Sequence, residues 1–218
     1  MSTVTHFGHA CLLVETDAGA RILIDPGTDS HGFESLRDLT AVLITHQHED
    51  HVDVGRLADV MAANPGAVLY ADHETAPQLE SLGVRVATPG DTLTVGPSSI
   101  KVLGGTHAHI FEDWPQFANN AYLVDDGAFY HPGDSYDLPI VNGQSVPVDV
   151  LAVPISGPWV KLGESIAFVR AVAPRVAVPM HEGALVAEAQ GQAHFMIGLH
   201  KPEATAYTPL ELGVRTPV

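Results

Sequence analysis

Four separate apolar runs in this 218-residue chain end in histidine or aspartate. Residues 41–44 lead into Thr45-His46-Gln47-His48-Glu49-Asp50-His51, and residues 100–103 into Gly104-Gly105-Thr106-His107-Ala108-His109. Residues 128–130 lead into His131-Pro132-Gly133-Asp134, and residues 176–178 into Pro179-Met180-His181. Runs this short, rich in Val, Ile and Leu and bounded by Gly, Pro, Asp or His, read as strands. A run as uniformly apolar as Ala41-Val42-Leu43-Ile44 fits a sheet covered on both faces by other layers. In helix-covered sheets, functional groups sit at the C-terminal ends of strands. The repeated order of apolar strand and then His or Asp therefore points to one polar site built from distant segments.

Further strands are expected at 10–15, 21–24, 67–70, 121–124 and 148–153. Helices are expected at 54–63, with Val54, Leu57, Val60 and Met61 on one stripe, and at 165–173, which stops at Pro174. A short helix is expected at 73–82. A weaker one spans 184–199, where Gly191 and Gly198 interrupt it, and final strands close the chain. The pattern divides into a strand-rich first part, 1–103, and a second part, 119–179, that resumes the strand and helix alternation. Two similar layers packed face to face are expected within one domain, 1–218. Loops rich in proline fall at 111–118, 132–147 and 154–163.

Composition narrows the chemistry. Apolar residues make up 45% of the chain, enough for a sizeable core. Ten Lys and Arg face 26 Asp and Glu, a formal charge of -16. Such a surface repels polyanions, so nucleic acid and anionic lipid are disfavoured as partners. The lone cysteine, Cys11, excludes an internal disulfide and reads as an inert buried thiol. Residues 1–6 carry no basic start of a leader, and no run reaches the ~20 apolar residues of a membrane span. The chain is expected to be cytoplasmic. Oligomeric state is not legible.

The 13 histidines are the outstanding count. In the 45–51 run, His46, His48, Asp50 and His51 offer imidazole and carboxylate groups of the kind zinc and similar divalent ions accept. An extended chain points His46 and His48 to one side. One loop cannot close two metal sites, so candidate partners are sought at the other strand ends: His107 or His109, His131 or Asp134, and His181. His109 competes with His107, which lies nearer its strand end. Asp25, after 21–24, is either a hydrogen-bond acceptor orienting a ligand or a turn former. His9 is either a substrate-binding or acid group or a structural histidine. His131 reads as structural, and His6, His31, His73, His194 and His200 as non-ligands. Trp114 and Trp159 are placed for an aromatic wall over the site or for loop packing, and Lys161 for contact with an anionic substrate group.

With these pieces in order (Gly8-His9-Ala10, Leu23-Ile24-Asp25-Pro26-Gly27, His46-x-His48-x-Asp50-His51, His107, Gly133-Asp134 and His181), the chain resembles the metallo-β-lactamase-fold hydrolases. It looks closest to a small metal-dependent branch related to the ascorbate-phosphate lactonases. The resemblance implies an α/β fold, a four-layer αββα sandwich of the metallo-β-lactamase type. It implies two divalent ions, zinc first, with manganese, iron or nickel as alternatives. His46, His48 and His107 would hold one ion and Asp50, His51 and His181 the other, with Asp134 bridging. Asp50 would also take the catalytic role of orienting or deprotonating a water shared by the ions. Two ions about 3.5–4 Å apart lower the pKa of such a water from ~15.7 toward ~7. The resemblance thus implies hydrolysis of an ester, lactone, amide or phosphodiester bond of a small-molecule substrate. An iron-dependent redox member and a non-catalytic metal-binding protein are the alternatives. His48 stands where the oxygen-reducing di-iron branch carries Glu, and no cysteine lies among the candidate ligands.

Overall fold

The structure, a computed structural model, describes residues 2–218; Met1, the first residue of the segment read above for a leader, lies outside them. Six strands come first: β1 (Thr3–His6), β2 (Leu12–Glu15), β3 (Arg21–Ile24), β4 (Ala41–Leu43), β5 (Val68–Ala71) and β6 (Arg85–Val86). Helix α1 (Val54–Ala63) joins β4 to β5. A second set follows: β7 (Thr92–Val95), β8 (Ser98–Gly104), β9 (Asn120–Val124), β10 (Phe129–His131), the small hairpin β11 (Ile140–Val141) and β12 (Gln144–Ser145), then β13 (Val150–Pro154). After helix α2 (Leu162–Val172) come β14 (Val176–Met180), helix α3 (Ala187–His200), β15 (Ala206–Tyr207) and β16 (Thr216–Pro217).

The strands form two seven-stranded sheets, in the orders β16-β1-β2-β3-β4-β5-β6 and β15-β14-β13-β10-β9-β8-β7. Each opens with antiparallel neighbours and continues in parallel: β3 to β6 in the first, β10 through β13 and β14 to β15 in the second. Alternation along the strands makes three apolar layers. Ile22 and Ile24 of β3 and Tyr122 and Val124 of β9 meet between the sheets. Leu23 of the same β3 faces outward, with Val42 and Leu69, against Leu57 and Val60 of α1 and against Phe33. Leu123, Leu151 and Ala177 face outward from the second sheet against Phe168 and Val169 of α2 and Ile197 of α3. Strands buried on both faces have no room for polar positions, which is why their runs are continuous in Val, Ile and Leu. The four-layer αββα arrangement matches the expected fold.

Several boundaries differ from expectation. The division does not fall at 103: β7 and β8 belong to the second sheet, because β8 pairs antiparallel with β9 from Ile100↔Val124 to Gly104↔Asn120. β16 returns to the first sheet beside β1. The 73–82 segment is a tight 3-10 helix over Ala76–Leu82, ended by Gly83 in a left-handed turn. α2 starts three residues before the expected 165, at Leu162, after an extended Lys161. α3 runs unbroken through Gly191 and Gly198, so packing of Ala193 and Ile197 onto the second sheet overrides their poor helix propensity. Cys11 is fully buried, and burial pushes its thiol well up, as expected of an inert group. Among the described residues, no helix is long and apolar enough to cross a membrane.

The sheets are also tied by polar bonds at one edge. The Tyr122 hydroxyl, from the second sheet, donates to the Ile44 carbonyl at 2.7 Å, and the Asn120 backbone N–H donates to the Thr45 carbonyl at 2.8 Å. Tyr122→Phe keeps the ring and strips a buried carbonyl of its donor, so a loss of about 1–3 kcal/mol is expected. Urea unfolding should show a lower midpoint at unchanged slope; an unchanged midpoint would refute the assignment.

Candidate metal centre

Strands β1, β3 and β4 run the same way in the first sheet, and β8, β10, β13 and β14 in the second, as their antiparallel and parallel pairings require. Their C-terminal ends therefore share an edge, and the loops beyond them carry His9, Asp25, His46–His51, His107, Asp134 and His181. The chain folds tightly there. A Cβ on Gly27 would lie 1.9 Å from the Asp50 carbonyl oxygen, so only glycine lets the 25–27 loop pack against the motif backbone. Gly133, at φ +61, passes Asn119 so closely that a Cβ would be 2.2 Å from Oδ1. That same oxygen accepts the Asp134 backbone N–H at 3.0 Å.

Two groups of side chains converge. His46, His48, His107 and Asp134 present ligand atoms all within 4.8 Å of one another, and so do His9, Asp50, His51 and His181. Asp134 lies between them: Oδ2 is 3.3 Å from His107 Nε2 and 3.1 Å from His181 Nε2, while Oδ1 is 3.1 Å from His51 Nε2. All seven residues expected as ligands are thus brought together. His107 joins them, whereas His109 is exposed and lies outside both groups.

Hydrogen bonds fix which nitrogen faces inward. Asp25 accepts the Thr45 backbone N–H at 2.8 Å, the Thr45 hydroxyl at 2.7 Å and His51 Nδ1–H at 2.7 Å. The Thr45 hydroxyl spends its hydrogen on Asp25, so it accepts Nδ1–H from His46 at 3.0 Å. His107 donates Nδ1–H to the Ala108 carbonyl at 2.6 Å. Nε2 of His51 and His107 points into the cluster without a hydrogen-bond partner, as in metal-binding histidines, while His46 Nε2 accepts from His48 Nδ1 at 3.0 Å. Asp25 is an orienting acceptor, not only a turn former.

The donor set fits cations. Among the described residues, His51 Nε2, His107 Nε2, His181 Nε2 and Asp134 Oδ1 are buried without a hydrogen-bond partner. Buried polar atoms are almost always satisfied, and three imidazole nitrogens and one carboxylate oxygen turned partnerless on the same space form a donor set that divalent ions accept.

The charges respond to this crowding. Burial alone pushes the Asp134 carboxyl up, but His181 and His51 beside it hold it well below the ordinary range. Burial pulls His51 down, yet the carboxylates of Asp134 and Asp25 raise it well above an ordinary histidine. His181 is raised in the same way, against burial, by Asp134. Burial lowers His46 and His48, helped by His51 and His107 respectively.

Other residues divide between roles. His131 is buried, accepting the Gly133 N–H and bonded to the Ala10 carbonyl, a structural position. Lys161 is 83% exposed beside Glu164, and Trp114 stacks on Phe111 in an exposed loop. Trp159 is buried and donates Nε1–H to Asp134 Oδ2 at 3.0 Å. Only one of the two tryptophans expected in an aromatic wall is thus shown at the site. Thr45, Asn119 and Asn120 were not anticipated; the Asn-Asn pair directly before an apolar strand was the available signal.

A four-layer αββα sandwich with paired His/Asp groups on one edge defines the metallo-β-lactamase-type class. Comparison with known proteins agrees: residues 3–181 match the family model described as beta-lactamase superfamily domain, and the chain belongs to that family. It is 45% identical over 192 residues to protein Rv0786c of Mycobacterium tuberculosis, covering 86% of this chain and 87% of that protein. It is 30% identical over 198 residues to a UPF0173 metal-dependent hydrolase of Pyrococcus horikoshii, covering 83% and 84%. The solved structure of Igni18, described as a novel metallo hydrolase from Ignicoccus hospitalis, shares the fold with a TM-score of 0.73 at 23% identity, covering 99% of this chain and 97% of that one.

A cation meeting His51 Nε2 would displace the proton that the facing Asp134 carboxylate favours there, while Nδ1–H stays on Asp25. Uptake should strengthen as pH rises, because the raised His51 and His181 lose their protons, and weaken as pH falls. Calorimetry of zinc binding near pH 7, in buffers of different ionisation enthalpy, should show net proton release; no release would refute this reading.

Proposed function

We propose that the chain is a metal-dependent hydrolase with a binuclear centre. His46, His48 and His107 hold one divalent ion, Asp50, His51 and His181 hold the second, and Asp134 contacts both. The observation that carries this is the cluster of partnerless buried nitrogens and oxygens between the two groups, with Asp134 at its middle. Family membership and the names of the relatives support hydrolysis. When bound, the ions supply Lewis acidity and a water acidified to near-neutral pKa. Zinc suits the mixed imidazole and carboxylate set, and manganese, iron or nickel suit it as well.

The chain's own groups then divide the work. Asp134 is 3% exposed and stays ionised, so its task is to hold spacing. Asp50 is 29% exposed, the more open carboxylate, and is placed to orient a water or take its proton. His9 donates Nε2–H to Asp50 Oδ2 at 3.0 Å. Its Nδ1 accepts the Gly183 N–H at 3.2 Å, which fixes the proton on Nε2. His9 thus orients Asp50 instead of serving as a further ligand. The substrate is a small molecule with an ester, lactone, amide or phosphodiester bond.

Protein purified without chelators should contain about two divalent ions per chain by elemental analysis, and should hydrolyse a member of a panel of lactones, esters, thioesters, phosphodiesters and β-lactams. Asp134→Ala should lose that activity and retain fewer than two tightly held ions. Two ions retained at full affinity would overturn the bridging role, and a metal-replete protein inert on the whole panel would overturn hydrolysis. His9→Ala should still bind two ions, with lower affinity; complete loss of one ion, as in His181→Ala, would make His9 a ligand.

A further inference from the structure

We infer that Trp159 is a positioning residue for the centre: its indole N–H fixes the Asp134 carboxylate so that Oδ2 lies between the two groups of ligands and Oδ1 turns toward His51. The inference rests on the binuclear reading above. It concerns a residue outside every ligand motif, 25 residues beyond Asp134.

The geometry is specific. Trp159 Nε1 lies 3.0 Å from Asp134 Oδ2, in a buried contact. Its ring meets His107 edge-on at 5.9 Å and His181 edge-on at 6.2 Å, one residue from each group. An indole N–H only donates. It therefore neither competes for a cation nor takes a proton from the carboxylate. One lone pair of Oδ2 goes to the indole; the other faces His107 and His181, and Oδ1 remains open toward His51. Among the described residues, the indole is the one hydrogen-bond donor to the Asp134 carboxylate besides the imidazoles of the two groups, whose contacts a cation would replace.

The indole is itself held. Tyr136 packs on it at 5.1 Å and bonds through its hydroxyl to Ser165 Oγ at 2.8 Å, in the first turns of α2. Ser165 in turn donates to the Pro154 carbonyl at the end of β13. The preceding loop closes on the ring at Gly157, whose φ is +141; a Cβ there would stand 3.0 Å from Trp159 Nε1 and 3.4 Å from His181 Cε1. A continuous line of contacts thus runs from α2 through Ser165, Tyr136 and Trp159 to Asp134. Partners of this outer kind are worth about 10–100-fold in metal affinity.

Trp159→Phe keeps an aromatic ring and removes the donor. Competition against a chromophoric chelator should show zinc binding weakened by about 10–100-fold for at least one of the two ions. Tyr136→Phe, which keeps its ring on Trp159, should leave zinc affinity within a few-fold. A second measurement needs no change at Trp159. In Trp114→Phe, which removes the exposed indole, the remaining tryptophan emission should change with added zinc and saturate at the binding stoichiometry. Wild-type affinity in Trp159→Phe, or emission in Trp114→Phe that zinc does not alter, would overturn the role of Trp159 while leaving the two-metal reading intact. A wild-type protein that binds no zinc would overturn both.

Discussion

The apolar layer between the two sheets holds the site together, because neither sheet carries it alone. His9, Asp25 and the His46–His51 run follow strands of the first sheet. His107, Asp134 and His181 follow strands of the second. Packing Ile22, Ile24 and Leu43 against Ile100, Tyr122 and Val178 brings the two sets of strand ends onto one edge. Burying side chains of this kind contributes about 1.5–3 kcal/mol each, and their number makes the layer outweigh the few polar bonds across the edge. Those polar bonds set register instead. Tyr122 and Asn120 reach from the second sheet to the carbonyls of Ile44 and Thr45, the two residues before His46.

That packing works against the electrostatics of the side chains it gathers. Six imidazoles crowd around two carboxylates in an interior from which water is largely excluded. Some are driven neutral by burial, as His46 is, while His51 is driven the other way by Asp25 and Asp134. Asp25 settles the conflict. One carboxylate takes the Thr45 N–H, the Thr45 hydroxyl and His51 Nδ1–H, fixing the strand end and the His51 tautomer together. Binding of cations to such a preformed cradle is linked to folding stability by mass action.

The sequence made the site more legible than the fold's seams. The His46–His51 run and the strand-then-ligand order exposed seven of the converging residues, because a ligand at a strand end needs only local pattern to be seen. His107 and His109 were separable by distance from the strand end. The seam at 103 was misjudged because β7 and β8 alternate like any half-buried strands, and nothing local says which sheet pairs with them. The α3 glycines argued against a helix that tertiary burial of Ala193 and Ile197 secures. Trp159 and His9 were seen as residues but not in their roles, since each is defined by a partner far along the chain. Asp134 stands 25 residues from the indole, and Asp50 stands 41 residues from the imidazole.

Backbone strain shows where the fold yields to the site. His9, Asp25 and His181 all lie in the left-handed region, with φ of 51°, 51° and 65°. Asp accepts such a conformation fairly readily; His does so at greater cost. Asp25 and His181 redirect the chain directly after β3 and β14, and His9 does so three residues beyond β1. The His181 N–H donates to the His9 carbonyl at 2.8 Å, so the two strained histidines brace each other across the sheets. His6 Nε2 bonds the same carbonyl at 2.9 Å from below. A strained non-glycine backbone persists only where its surroundings over-determine it. Here the surroundings are the core between the sheets, and the result is that the His9 and His181 rings lie 3.9 Å apart beside Asp50. Glycine at either position would relieve the backbone but remove the imidazole, so the strain is the physical consequence of needing a side chain where the chain has to turn.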